Sequence, residues 1–326
     1  MLAFAVRRIA ISVPVLLLAA FIVFTLGTFA GNPLDPLIAR NPPAAPEVLA
    51  AETARLNLDQ PLVPRFVSWL GGLFQGDFGP SVVSTRDIGT ELGERFLVTL
   101  RLIALAMVIA LVLAVVVGVL SAVKQYSVGD YTATFIGFLF LAMPSFWLAI
   151  LLKQGGIEFN LAVGDQVLYT IGASSVPPPE GAWAWTVDVL GHMILPTIAL
   201  ALISYAAWSR FQRAAMLEVL NSDYLRLARA KGLPRRTVMV KHGLRTALIP
   251  LTTVTALDLA SIISGAVVTE TVFQWRGMGD FLLRAIREQD VYATSAWLLL
   301  TATVVIVFNL VADLLYAVLD PRIRYA

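Results

Sequence analysis

Nine cations crowd between Arg210 and Arg245: Arg210, Arg213, Arg226, Arg229, Lys231, Arg235, Arg236, Lys241 and Arg245. Only Glu218 and Asp223 oppose them. Guanidinium and ammonium groups at this density do not make or break bonds. They form charge-assisted contacts with carboxylates or phosphates. Two chemistries fit: docking against an acidic protein rim, and contact with anionic lipid, where each cation is worth about 1 kcal/mol. Neither requires local order, yet the segment carries helix punctuation. Asn221, Ser222 and Asp223 are all N-capping types, and Tyr224 to Lys231 are mostly strong helix formers. Arg229 and Lys231 suit the negative end of a helix dipole. Gly232 fits the position just past a helix, ahead of Leu233, and Pro234 follows. The pattern predicts a helix of about two turns. Pro234 then suits the first position of a second helix through Val238, Val240 and Leu244.

Catalytic chemistry is absent from the motif inventory. There is no Gly-Lys-Ser/Thr triplet and no HExxH, GxSxG or GxGxxG pattern. The chain has no cysteine, which excludes disulfides, thiolate metal sites and iron–sulfur ligation. His192 and His242 are the only imidazoles. They lie on different segments without a carboxylate at ligand spacing, so both read as structural or interfacial and no metal site is expected. Two carboxylates fall near membrane depth, Asp258 and Asp313. Asp258 either lines a pathway or bonds a neighbouring helix. Asp313 reads as a structural partner for a nearby cation.

These groups must be positioned by membrane helices. The chain has 326 residues, 58% hydrophobic and 14% charged, with mean hydropathy +0.78; soluble domains are about 25% charged. Net charge is only +2, which gives no nucleic-acid signal, and the bilayer is the first partner. Residues 9–30 form a retained first span, since about 20 apolar residues cross the hydrocarbon core. Residues 31–96 are a proline-rich, net acidic insert in which Trp69, Leu70, Leu73 and Phe74 have helix spacing and would lie on the bilayer interface or in a small core, the interfacial helix being the simpler reading. Further spans are expected at 97–123, 132–153 (kinked by Pro144), 191–209, 247–269 and 292–316. Residues 154–190 carry acids but no Lys or Arg. The positive-inside rule puts Arg7, Arg8, Lys124, the central cations, Arg322 and Arg324 in the cytoplasm. The solution is an all-α integral membrane protein of six transmembrane helices with both termini cytoplasmic. Its parts are a first helix (1–30), an extracytoplasmic insert (31–96) and a transmembrane core (97–326) containing a cytoplasmic loop (210–246).

The central loop resembles the EAA loop of permease subunits of ATP-binding-cassette importers. The run Arg226-Leu227-Ala228-Arg229-Ala230-Lys231-Gly232 stands in its place, with Arg226 for the glutamate and Leu227 for the first alanine. His242 and Arg245 stand where the general motif favours isoleucine and proline. These departures match the variant of the dipeptide, oligopeptide and nickel permeases. The resemblance extends through Asn57-Leu58-Asp59-Gln60-Pro61, Gly76-Asp77-Phe78-Gly79, residues 265–279, Asp313-Leu314-Leu315-Tyr316 and Leu319-Asp320-Pro321-Arg322. The long first insert resembles the B-type oligopeptide permeases. The resemblance implies a type I importer fold in the bacterial cytoplasmic membrane, and a loop of Asp223, Tyr224, Arg226, Leu227, Ala228, Arg229, Ala230, Lys231, Gly232 and Leu233 that couples to a cytoplasmic ATPase. Tyr224 and Leu227 would fill apolar hollows, Ala228 and Ala230 would allow close approach, and Arg226, Arg229 and Lys231 would meet acidic rim residues. It also implies a second permease subunit and an extracytoplasmic solute-binding protein. ATP and magnesium would be bound by the partner, with no cofactor and no covalent chemistry in this chain. Oligopeptides or dipeptides are the expected cargo, with nickel or another small solute as the alternative; the scarcity of histidine and the absence of cysteine weigh mildly against a metal pathway. A stand-alone secondary carrier fits less well, because there is no internal repeat and few intramembrane charges. A scaffold or export subunit is the third reading.

Overall fold

A computed structural model describes residues 2–82 and 86–319. The helices in chain order are α1 (Leu2–Ala30), α2 (Asp35–Ile38), α3 (Pro46–Arg55), α4 (Leu62–Leu73), α5 (Ile88–Val123), α6 (Val128–Ala142) and α7 (Ser145–Val163). They continue with α8 (Ala182–Leu220), α9 (Asp223–Ala230), α10 (Arg235–Thr237), a π-helical segment (Val238–Leu244), α11 (Arg245–Leu257), α12 (Leu259–Phe273), α13 (Met278–Arg287) and α14 (Val291–Leu319). Arg322 and Arg324 lie outside the described residues, as does the side chain of Asp313, so its pairing is not described.

Among the described residues, four stretches are long and apolar enough to cross a membrane: Ala10–Ile38, Ile88–Val123, Ala182–Leu220 and Val291–Val311. The pair α6 and α7 makes a fifth if it is one span, but the two helices meet at 106°. The kink expected within 132–153 is therefore a full break at Met143–Pro144, far sharper than a proline kink. A residue before proline is forced out of the α region. Met143 is accordingly extended (φ −77°, ψ 131°), and Pro144 becomes the N-cap of a new helix. Residues 154–163 are therefore helical, and the acidic stretch is loop only from Gly164 to Gly181. Likewise α8 does not stop at residue 209: it continues to Leu220. Its 39 residues span roughly 58 Å at about 1.5 Å per residue, well beyond a hydrocarbon core of about 30 Å.

The fifth expected span is interrupted at Asp258, between α11 and α12. Its backbone stays right-handed (φ −75°, ψ −8°). The Asp258 N–H donates to Val254 O at 2.9 Å, and the Ile262 N–H donates to Asp258 O at 2.9 Å, so the helical path carries through.

The chain divides into two compact units. One comprises residues 2–99 and 276–306. Its core gathers Phe24, Phe66, Trp69, Phe281 and Tyr292. Phe24 meets Phe66, Trp69 and Tyr292 at centroid distances of 5.4, 5.5 and 5.7 Å. The buried polar tips find partners: the Trp69 indole N–H donates to Phe78 O at 2.9 Å and the Tyr292 hydroxyl to Leu56 O at 3.0 Å. Trp69 is thus a core residue with Leu70 and Leu73 packed against the same cluster, which favours the small core over the interfacial helix, whereas Phe74 is exposed. Buried Asp290 ties down the insert by accepting from Ser81 Oγ, Val82 N and Ala293 N at 2.7, 2.8 and 3.0 Å.

The other unit comprises residues 100–275 together with 307–319. Here α5 crosses α8 where a Cβ on Gly118 would lie 2.8 Å from both Gln212 Cβ and Ser209 O. Only glycine allows that approach. At its other end, Lys153 Nζ donates to Val272 O at 2.7 Å, and Gly172 N to Phe273 O at 2.9 Å. These bonds fasten the 164–181 loop to the end of α12.

Candidate functional site

Helix α9 forms as the sequence predicts, from Asp223 to Ala230. Ser222 occupies the N-cap, but its hydroxyl donates back to Val219 O at 2.6 Å instead of capping the new helix. The far end is closed by glycine chemistry. Gly232 sits at φ +77°, the Gly232 N–H donates to Arg229 O at 3.0 Å, and the Leu233 N–H donates to Ala228 O at 3.4 Å. These two bonds are the pattern that satisfies the last carbonyls of a helix. We expect Gly232→Val to strain this left-handed position by about 1–2 kcal/mol. Circular dichroism of the purified variant should show the fold kept, while the Leu233 side becomes more sensitive to protease.

The helix is amphipathic with a sharp division. Leu225 is fully buried and anchors α9 to Met216 and Val219 of α8, to Val238 and to Ala247. Tyr224 and Leu227 are 43% and 57% exposed, and Leu233 is 39% exposed. Asp223, Arg226, Arg229, Ala230 and Lys231 are also exposed. Arg226 and Asp223 approach to 3.4 Å on this face. Ala228 departs from expectation: it packs against the Leu225 cluster, so it steadies the helix from behind and Ala230 is the small residue left outside.

The segment after Pro234 also departs from expectation. Pro234 is the N-cap, not the first helical residue, and α10 gives way to the π-helical segment. Val238 and Ala247 both reach the Leu225 cluster. They are nine residues apart, and at about 3.6 residues per turn they would lie on opposite faces of one helix. The wider i→i+5 winding brings them to the same side.

Several ionic anchors escape a linear reading. Asp130 is 3% exposed and accepts from Arg213 Nε and Nη2, each at 2.8 Å, and from Tyr126 N at 3.0 Å. The pair locks the start of α6 to α8. Asp188 accepts from Ser175 N and Oγ at 2.8 and 2.5 Å. It also lies one turn before His192, whose Nδ1 is 2.8 Å from Asp188 O and 3.6 Å from its carboxylate. A carboxylate does therefore flank His192 at helix spacing, and the i, i+4 pattern was the available signal. His192 stacks on Tyr169 at 4.0 Å, a packing role. No local pattern announces the Asp130–Arg213 pair, whose members are 83 positions apart.

Asp258 is half-buried at the junction of α11 and α12. One carboxylate oxygen accepts the indole N–H of fully buried Trp208 at 2.8 Å. Removing the acceptor leaves a buried donor unpaired, at about 1–3 kcal/mol. We expect Asp258→Ala to lower thermal stability by that margin and Asp258→Asn, which keeps an acceptor, to retain most of it. Thermal unfolding followed by size-exclusion chromatography reads both.

Long apolar helices carrying a small, anchored, basic helix with an open face describe a membrane-embedded transport component. The chain belongs to the family of binding-protein-dependent transport system inner membrane components, whose model matches residues 114–325, and residues 1–87 match the N-terminal model of the same membrane components. The chain is 41% identical over 318 residues to the oligopeptide transport system permease protein OppB of Mycobacterium tuberculosis, covering 98% of each. It is 37% identical to the dipeptide transport system permease protein DppB of Escherichia coli K12, over 100% of this chain and 99% of that protein. The oligopeptide transport system permease protein AppB of Bacillus subtilis is 36% identical over the full length of both.

Proposed function

We propose that this chain is the permease subunit of an ATP-driven peptide importer of the bacterial cytoplasmic membrane, forming half of the pathway for oligopeptides or dipeptides. The observation that carries the reading is α9: a two-turn helix pinned through Leu225, with Tyr224, Leu227 and its cations left open. Ion-pair formation alone needs no such anchoring. A cytoplasmic ATPase, which binds ATP and magnesium, takes this face in a groove, and its nucleotide-driven closure moves α9 and, through Leu225, the end of α8. Asp223 to Leu233 form the contact, within the cytoplasmic loop 210–246. Relatives named for oligopeptide and dipeptide transport support the choice of cargo.

The proposed topology counts α1, α5, α6 with α7, α8, α11 with α12, and α14 as six crossings. Both termini are cytoplasmic, residues 31–96 form the extracytoplasmic insert, and 97–326 form the core. Charge asymmetry supports it. A second permease subunit completes the pathway, and an extracytoplasmic binding protein delivers the peptide. Asp258 is the one charged residue of 247–269 and the candidate polar position on the path.

The test is uptake of a labelled peptide by proteoliposomes holding the assembled complex. Import that requires both the binding protein and internal ATP supports the reading. Import by this chain alone under an ion gradient overturns it.

A further inference from the structure

We propose that the groove between α6 and α8 holds one anionic phospholipid, with the headgroup phosphate on Arg210 and an acyl chain along the aromatic floor. The groove encloses about 560 Å³ and is lined by Thr134, Phe138, Leu141, Ala207 and Phe211, with Arg210 and Arg213 among its walls. Phe138, Leu141 and Phe211 turn exposed side chains to it. The Arg210 guanidinium lies 4.5 Å above the Phe138 ring, and among the described residues no carboxylate pairs with it.

The charge around the groove is unbalanced. Arg213 commits Nε and Nη2 to Asp130, so two cations and one carboxylate leave one positive charge. Arg210 and Arg213 sit one helical turn apart on α8, where like charges repel. A phosphate between them relieves that repulsion and accepts the N–H groups that Asp130 does not use.

The level of the groove selects a lipid over other anions. Between Ala182 and Ser209 the only charged residue of α8 is Asp188. Arg210 is the first cation after this apolar run, and in the proposed topology the fourth crossing ends at its level. A basic pocket between membrane helices is the setting that captures anionic headgroups. The cytoplasmic leaflet follows from the proposed topology. The binding itself does not depend on which way the chain is inserted, so failure of the lipid site and failure of the topology are separable.

The experiment uses the assembled importer in nanodiscs of equal parts phosphatidylcholine and phosphatidylglycerol, followed by stepwise delipidation and native mass spectrometry. Phosphatidylglycerol should be retained over phosphatidylcholine. Arg210→Gln should cut that retention about tenfold, the cost of one charge-assisted contact. Arg210→Lys should keep most of it, Ala207→Trp should abolish it by filling the groove, and Lys124→Gln should leave it unchanged. A benzoylphenylalanine replacing Leu141 should cross-link to lipid. Equal retention in wild type, Arg210→Gln and Ala207→Trp overturns the proposal. So does a Leu141 cross-link to the second permease or to a peptide, which would make the groove a subunit interface or part of the pathway.

Discussion

Leu227→Asp is expected to reduce ATP-dependent peptide uptake by more than tenfold while leaving the protein folded. Leu227 is 57% exposed and, among the described residues, lies outside the core clusters that hold Leu225 and its neighbours, so a carboxylate there costs the permease little. Buried in a partner's groove, a leucine side chain contributes about 1.5–3 kcal/mol, and an unpaired carboxylate in that position adds a desolvation cost. Two residues away, Leu225→Ala should do the opposite. It removes a fully buried side chain and should cost about 2–5 kcal/mol of stability. Uptake, ATPase stimulation and thermal unfolding measured on both variants separate the inward and outward faces of one short helix. A Leu227→Asp protein that imports normally would remove α9 from the coupling path.

Asp130→Ala carries the second large effect, on stability. The carboxylate accepts two guanidinium N–H bonds and one backbone N–H. Breaking a buried pair from one side costs about 3–5 kcal/mol. Arg213 keeps 29% of its side chain exposed, and the hydration this allows places the loss near the lower end, about 3 kcal/mol. Asp130→Asn should fall between, because the amide keeps one acceptor and points donors at the guanidinium. Combining Asp130→Ala with Arg213→Met should recover part of the loss, since no unpaired cation remains. Thermal unfolding of the four proteins checks the order. An Asp130→Ala variant as stable as wild type would show that the pair contributes nothing to holding α6 on α8.

Apolar length made the long helices legible, and local punctuation made α9 legible. Tyr224 to Lys231 favour helix and Gly232 is the residue for φ +77°, so nothing distant was needed. Where competing outcomes satisfy the same local rule, the reading stopped short. Pro144 demands an extended Met143, but a kink and a 106° break both begin that way, and tertiary packing decides. A cation ends an apolar run but not a helix, so α8 continues past Arg210 to Leu220. The π-helical winding at Val238–Leu244 has no composition of its own and exists to bring Val238 and Ala247 onto Leu225. Within the site, Tyr224 and Leu227 were legible as outward residues. The inward turn of Ala228 was not, because it follows from which leucine anchors the helix.

Because the chain has no cysteine, Ala230→Cys provides a single reactive site on the exposed face of α9. Paired with single cysteines placed around the groove of the cytoplasmic ATPase, it should form a disulfide at a few groove positions, with a yield that changes when ATP is added. A folded, membrane-inserted Ala230→Cys protein that cross-links at none of those positions, with or without ATP, would contradict coupling through α9 and leave the basic loop as a determinant of topology alone.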